Sequence, residues 1–260
     1  MPLAAGLYYF VHEAENLSRP PVILIHGAGG THLNWPPQVR RLAGQRIFAL
    51  DLPGHGKSAG IGRQSILEYA RDVVEFMQAL KLRSAVMVGH SMGSAIALTL
   101  ALHFPKRVLG LGLLGAGAKL RVAPAILETL ATPNTFAAGV QMVIDAAYAA
   151  QSDSRLKELG AQRMAETRPP VLYGDFLACD EFNVMDSLAR IHVPTLILVG
   201  AEDRLTPPRY AELLHSQIAG STLKVVPNAG HMVMLEQPHA VATALAEFLG
   251  DISFVAGGVT

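Results

Sequence analysis

Gly89-His90-Ser91-Met92-Gly93 sets a serine between an apolar run at 85–88 and a helix-like stretch at 94–104. A serine on a sharp strand-to-helix turn is held in a strained backbone conformation, and glycines two residues either side let the chain fold back without a Cβ clash. The hydroxyl then stands at the carboxyl edge of a sheet. There the amides of a helix N-terminus point at negative charge developing on a substrate oxygen. The chemistry that suits such a serine is acyl transfer.

A serine hydroxyl is a weak nucleophile at neutral pH and needs a base within hydrogen-bond reach, with a third group to orient that base. Asp203 lies in Gly200-Ala201-Glu202-Asp203-Arg204 and His231 in Asn228-Ala229-Gly230-His231-Met232, each just after a strand-like run. In parallel strands all carboxyl ends share one edge, so residues following three strands converge. Ser, Asp, His is the chain order expected for this topology. Glu202 is the rival carboxylate; neighbouring side chains of an extended segment diverge, and the shorter Asp203 closes the loop to His231. With His231 as base, the rate falls in acid as the imidazole protonates.

Ten histidines are present, and His231 is preferred for its position after the last strand with a neighbouring glycine. His55 and His90 are read as parts of turns, and Asp175, Asp180 and Asp186 as solvated or capping charges. The oxyanion needs two converging amide donors. One is Met92, at the start of the helix; the other is Ala28 in His26-Gly27-Ala28-Gly29-Gly30, with Gly29 as the fallback. Gly27, Gly29 and Gly30 lack the Gly-x-Gly-x-x-Gly spacing of a dinucleotide loop. No His-x-x-x-His or Cys-x-x-Cys spacing suggests a metal. Cys179, the single cysteine, reads as a packed thiol.

These residues must be positioned by a scaffold, and short β-branched runs alternating with helical patterns specify an α/β fold with a mainly parallel sheet covered on both faces. Strands are expected at 22–25, 47–50, 85–88, 108–114, 195–199 and 222–226, with an edge strand at 8–12. Helices are expected at 33–42, at 65–80 with Ser65 and Glu68 as a capping box, at 207–216 capped by Thr206, and at 238–249. The interval 117–186 interrupts the alternation with helical patterns at 125–130, 135–149 and 154–166. It reads as an inserted lid at the serine's edge of the sheet, dividing the core into 1–116 and 187–260. His32 and Trp35 are placed near the entrance, Trp35 mainly as a packing residue. The tail from Ser253 is expected to fray.

Composition narrows the partner class. The 260 residues carry 21 Lys plus Arg and 21 Asp plus Glu, so no basic field draws nucleic acid or an anionic membrane. A small neutral or apolar molecule fits better. The apolar stretches 94–104 and 108–118 are parted by Pro105-Lys106-Arg107 and are too short to cross a bilayer. Residues 1–15 lack a signal-peptide pattern, which makes the cytoplasm the default location.

In His26-Gly27-Ala28-Gly29, Asp51-Leu52-Pro53-Gly54-His55-Gly56-Lys57-Ser58, the Ser91 elbow, the Asp203 loop and Asn228-Ala229-Gly230-His231, the chain resembles the α/β-hydrolase superfamily, in its lidded esterase-like branch. Ser94 stands where many relatives carry a further glycine, and 51–58 looks like the family's structural turn. The resemblance implies a carboxylic ester hydrolase working without cofactor: Ser91 attacks the carbonyl, His231 shuttles the proton and Asp203 holds the imidazole. Serine at 91 separates it from relatives with aspartate there, such as haloalkane dehalogenases and epoxide hydrolases. The same residues serve carbon-carbon bond hydrolases, lactonases, thioesterases and cofactor-free perhydrolases, and some relatives act mainly as ligand sensors. Apolar side chains of the insertion, among them Phe136, Met142, Tyr148, Met164, Tyr173, Phe176, Phe182 and Met185, imply a pocket for short to medium esters. Oligomeric state and physiological substrate are left open by the sequence.

Overall fold

A computed structural model describes residues 2–13 and 19–252. Eight strands among them, β1 (Leu3–Ala4), β2 (Leu7–His12), β3 (Val22–Ile25), β4 (Ile47–Leu50), β5 (Ala85–His90), β6 (Val108–Leu114), β7 (Thr195–Gly200) and β8 (Thr222–Val226), form one sheet. Their order is β1-β2-β4-β3-β5-β6-β7-β8. β2 runs antiparallel to both of its neighbours, β1 and β4, and all the remaining neighbours are parallel. The fold is therefore α/β, as the alternating pattern requires. β5 and β7 extend past their expected ends, to His90 and Gly200, and so lead directly into the Ser91 turn and the Asp203 loop. The strand expected at the edge forms β2, with β1 outside it.

Residues two apart on a strand share a face, and here both faces are apolar. Ile23, Ile25, Phe48, Leu50, Met87, Leu111 and Leu113 face one core with α2 (Ile66–Ala79), α3 (Met92–His103) and Ala211 and Leu214 of α8 (Pro208–Gln217). Val22, Leu24, Ile47, Ala49, Val86 and Val88 face the other, with Trp35, Val39 of α1 (Pro37–Arg40), α9 (Val233–Glu236) and α10 (Pro238–Asp251). A sheet buried on both sides needs continuous apolar strands, and β3, β4 and β5 are buried at every position. α3 is buried from Met92 through Leu102, so the helix after Ser91 is fixed on all sides.

Three local expectations are corrected. The helix at 33–42 is instead a single 3-10 turn, His32–Asn34, followed by the four-residue α1. Pro36 and Pro37 cause the break: proline lacks an N–H and pushes the preceding residue to extended backbone, and Trp35 sits at φ −91°, ψ 110°. Ser65 precedes α2, but its side chain makes no capping bond. Thr206 does not cap α8, which follows Pro207; its hydroxyl is used elsewhere.

Between β6 and β7 lie four helices, α4 (Pro124–Leu130), α5 (Phe136–Ala147), α6 (Ser154–Ala165) and α7 (Pro169–Glu181). The first three match expected patterns. α7 starts on two prolines, which suit a first turn whose N–H groups lack helical partners anyway. The inserted helices bury Ile126, Leu130, Phe136, Val140, Ile144 and Leu172 in a core of their own, and an isolated bridge between Lys119 and Asn183 brings the two ends of the segment together. Among the described residues no helix is long and apolar enough to cross a membrane. The tail from Ser253 lies outside the described residues.

Candidate active site

Ser91 links β5 to α3 at φ 53°, ψ −118°, a left-handed conformation that a serine adopts only under constraint. The constraint is visible in its flanking glycines. A Cβ on Gly89 would lie 2.1 Å from the Gly93 carbonyl oxygen, and one on Gly93 would lie 2.1 Å from that of Ile25. The turn is therefore closed to any other residue at either position. Ser91 N–H donates to Leu114 O at 2.9 Å, and Ser91 O accepts from Ser94 N–H at 2.8 Å. The Ser94 hydroxyl is buried within reach of Gly89 O at 2.7 Å and Leu114 O at 3.0 Å, so the serine in place of a glycine ties the turn to β6.

His231 Nδ1 donates to Asp203 Oδ2 at 2.9 Å, with both side chains buried. The amides of Leu205 and Thr206 donate to Asp203 Oδ1 at 2.9 and 2.8 Å, and the Thr206 hydroxyl to Oδ2 at 2.8 Å. Burial alone would raise the Asp203 pKa; the adjacent His231 and the Thr206 bonds outweigh it and hold the carboxyl below its usual range. Asp203 is thus an anion whose lone pairs are taken. Glu202 faces away, accepting from Gln151 Nε2 at 2.5 Å. The His231 backbone is fixed too: its N–H donates to Ala147 O at 2.8 Å and its carbonyl accepts from His90 Nε2 at 2.9 Å. His90 is neutral, burial and the nearby His231 holding its pKa at about 3.

Ser91, His231, Ala28 and Thr206 line one cavity of about 350 Å³, together with Ile126, Val143, Ile144, Tyr148, Met164 and Phe176 from the segment between β6 and β7. His231 Nε2 and Ser91 Oγ form no hydrogen bond with each other or with other groups among the described residues. The backbone N–H groups of Ala28 and Met92 likewise donate to no acceptor among the described residues. The fallback donor is excluded: Gly29 N–H donates to Asp175 Oδ2 at 2.8 Å. The cavity can therefore present a hydroxyl, a histidine already oriented by a carboxylate, and the Ala28 amide to one small molecule, with the Met92 amide following Ser91 in the chain. Phe136 packs among the inserted helices and Phe182 in the main core, while Met142 and Met185 are largely exposed. Neither His32 nor Trp35 reaches the cavity: His32 pairs with Asp51 at 2.8 Å and Trp35 is fully buried beneath the sheet. Cys179 is a buried thiol, its pKa pushed up by burial and by Asp175 and Asp180.

Asp175 is the residue that sequence reasoning misplaced. It is completely buried, not solvated, because three groups from distant parts of the chain enclose it. Its carboxylate accepts from Gly29 N–H, from Tyr69 Oη at 2.5 Å and from His55 Nε2 at 2.8 Å. His55 Nδ1 faces Pro53 O at 3.0 Å. Both His55 nitrogens thus meet acceptors, which favours the doubly protonated ring. Burial works against that charge, but Asp175 outweighs it and raises the His55 pKa. Glu236 was also missed. It accepts from Gly230 N–H and Ala149 N–H, both at 2.9 Å, and so joins the His231 loop to the inserted segment.

A family model described as alpha/beta hydrolase fold matches residues 20–238. A protein of Azorhizobium caulinodans provisionally named carbamate hydrolase RutD is 30% identical, covering 97% of this chain and 99% of its own. The pimeloyl-[acyl-carrier protein] methyl ester esterase of Pectobacterium carotovorum is 28% identical, covering 95% and 97%. The solved structure of a thermophilic esterase superposes with a TM-score of 0.81 at 34% identity, covering 95% of this chain and 98% of that one.

Proposed function

Because the chain belongs to the alpha/beta hydrolase fold family, a family of hydrolases in its esterase relatives, we propose that it cleaves carboxylic esters through an acyl-enzyme on Ser91. The observation that carries this reading is the shared cavity of Ser91 and the His231–Asp203 pair. Ser91 Oγ attacks the ester carbonyl while His231 Nε2 takes its proton. Asp203 keeps the other imidazole proton on Nδ1 and stabilises the imidazolium. The tetrahedral oxyanion accepts hydrogen bonds from the Ala28 and Met92 amides, each worth about 10²–10³ in rate. His231 then returns the proton to the leaving alcohol, and water repeats the sequence to release the acid. No cofactor takes part.

On this reading residues 117–186 form a lid over a core made of 1–116 and 187–260, and the apolar roof selects a small ester of short to medium chain. Arg121, Arg163 and Arg204 also border the cavity, so charged acyl groups belong in any test. The experiment is hydrolysis of p-nitrophenyl acetate, butyrate and octanoate, a monomethyl dicarboxylate and a simple carbamate by wild type and Ser91→Ala. Turnover of butyrate that vanishes in a folded Ser91→Ala is the expected result. Preference for the dicarboxylate or the carbamate would replace the substrate class. A folded wild type inert to every compound would turn the search to carbon-carbon substrates, lactones, thioesters, peracids or ligand sensing.

A further inference from the structure

The inserted helices do more to the Ala28 loop than roof it. Gly29, the next residue, has both of its backbone polar atoms taken by that segment: its N–H donates to Asp175 Oδ2 at 2.8 Å, and its carbonyl accepts from Thr167 Oγ1 at 3.2 Å. Leu172 Cδ1 and Met164 Cγ would lie 2.6 and 3.1 Å from a Cβ at this position, where φ is +62°. On the other side of Ala28, a Cβ on Gly27 would lie 3.0 Å from His90 Nδ1 and 3.1 Å from Ser91 Cβ. Ala28 is therefore held between the nucleophile turn and the insertion.

Asp175 is itself fixed from three directions. Tyr69 on α2 donates to Oδ1, His55 donates to Oδ2 beside the Gly29 amide, and α7 supplies the backbone. Asp175, Tyr69 and His55 are all buried, and none of the three lines the cavity. Such a clamp suits a donor that must meet an oxyanion within a few tenths of an ångström.

We propose that Asp175 and Thr167 are positioning residues of the oxyanion hole, holding the Gly29 peptide so that the Ala28 amide faces the carbonyl attacked by Ser91. The inference rests on the esterase reading above. It makes the insertion a structural part of the site: without the clamp the loop can rotate, and the amide is lost from the transition state while substrate still enters.

The test compares wild type, Asp175→Ala, Asp175→Asn and Thr167→Val with p-nitrophenyl butyrate as substrate and an alkyl trifluoromethyl ketone, whose serine adduct carries an oxyanion, as inhibitor. Circular dichroism and thermal melting report the fold. For Asp175→Ala, kcat falls about 100-fold with KM within about threefold, and ketone affinity falls in parallel. Asp175→Asn keeps an acceptor oxygen for Gly29 and recovers part of the loss. Thr167→Val, the mildest change, lowers kcat about fivefold. Folded variants with wild-type kcat and ketone affinity, whatever their melting temperature, overturn the proposal. Should the Asp175 variants fail to fold, an unchanged Thr167→Val overturns it. An inert wild type overturns the esterase reading and this inference with it; an active wild type with unaffected variants overturns this inference alone.

Discussion

Two of the buried histidine–aspartate pairs among the described residues have nearly the same geometry, His231 with Asp203 at 2.9 Å and His55 with Asp175 at 2.8 Å. Each has a second histidine against its ring, His90 at 4.8 Å from His231 and His26 at 4.9 Å from His55. What differs is the other imidazole nitrogen. His55 spends both, on Asp175 and on Pro53 O. His231 lines the cavity and spends only Nδ1 among the described residues. A carboxylate partner therefore orients a histidine without making it a base. On the proposed esterase reading, it is the unspent nitrogen, turned to the substrate, that takes the serine proton.

The comparison is broken most directly by turnover. His231→Gln is expected to lower kcat about 10⁶-fold. Asp203→Asn, which reverses the tautomer preference, lowers it about 10⁴-fold. His55→Gln acts only through the Gly29 clamp and costs at most about 10²-fold. Steady-state kinetics on a p-nitrophenyl ester measures all three. A His55→Gln variant as inert as His231→Gln would show that the two pairs share one role.

Stability should rank them in the opposite order. His55 and Asp175 are sealed from solvent, and removing the cation leaves a buried carboxylate with two neutral donors, Gly29 N–H and Tyr69 Oη, at a cost of about 3 kcal/mol. Asp203 loses less when His231 goes. Three donors, from Leu205 and Thr206, remain on it, and the place that His231 vacates borders the cavity. Denaturant titration of the two glutamine variants checks the order, and a larger loss in His231→Gln would reverse it.

The two pairs were not equally legible. Ser91, Asp203 and His231 each follow a strand whose apolar run is readable alone, because strands buried on both faces carry their signal in consecutive residues. The order of turns then brings the three together. Asp175 lies 146 residues from Gly29 and 120 from His55, on a helix whose sequence says nothing of what it will touch. A carboxylate with no partner nearby in the sequence reads as solvated until tertiary contacts enclose it. Thr206 was misread for a related reason: a threonine ahead of Pro207-Pro208 has the form of a cap, and only the approach of Asp203 and His231 claims its hydroxyl. The false helix at 33–42 had a local signal against it, the Trp35-Pro36-Pro37 run, outweighed by apolar spacing.

The smallest effect, and the sharpest on the surrounding histidines, is the response to acid. Leu52 N–H donates to His26 Nε2 at 3.0 Å, so the His26 proton lies on Nδ1, which donates to Gly27 O at 2.7 Å; this ring is bonded as the neutral form. Burial, with the charge on His55, lowers the His26 pKa to about 4, as burial and His231 lower that of His90 to about 3. In the unfolded chain both titrate near the ordinary value of about 6.5. Below that pH the unfolded state binds protons that the fold refuses, so stability falls with acid, by about 1 kcal/mol per histidine between pH 6.5 and 5.5. His55 has the opposite sign: its raised pKa contributes stability that is complete below the unfolded value and lost as pH rises through the folded one. Asp203 and Asp51, with lowered pKa values, lose their contributions only at lower pH, below the ordinary carboxylate range of about 4. Urea midpoints at pH 6.5 and 5.5 thus isolate the two neutral rings. A midpoint that does not move, or rises, would mean that His26 and His90 accept protons in the fold, and each would then place its own charge beside the neighbouring pair.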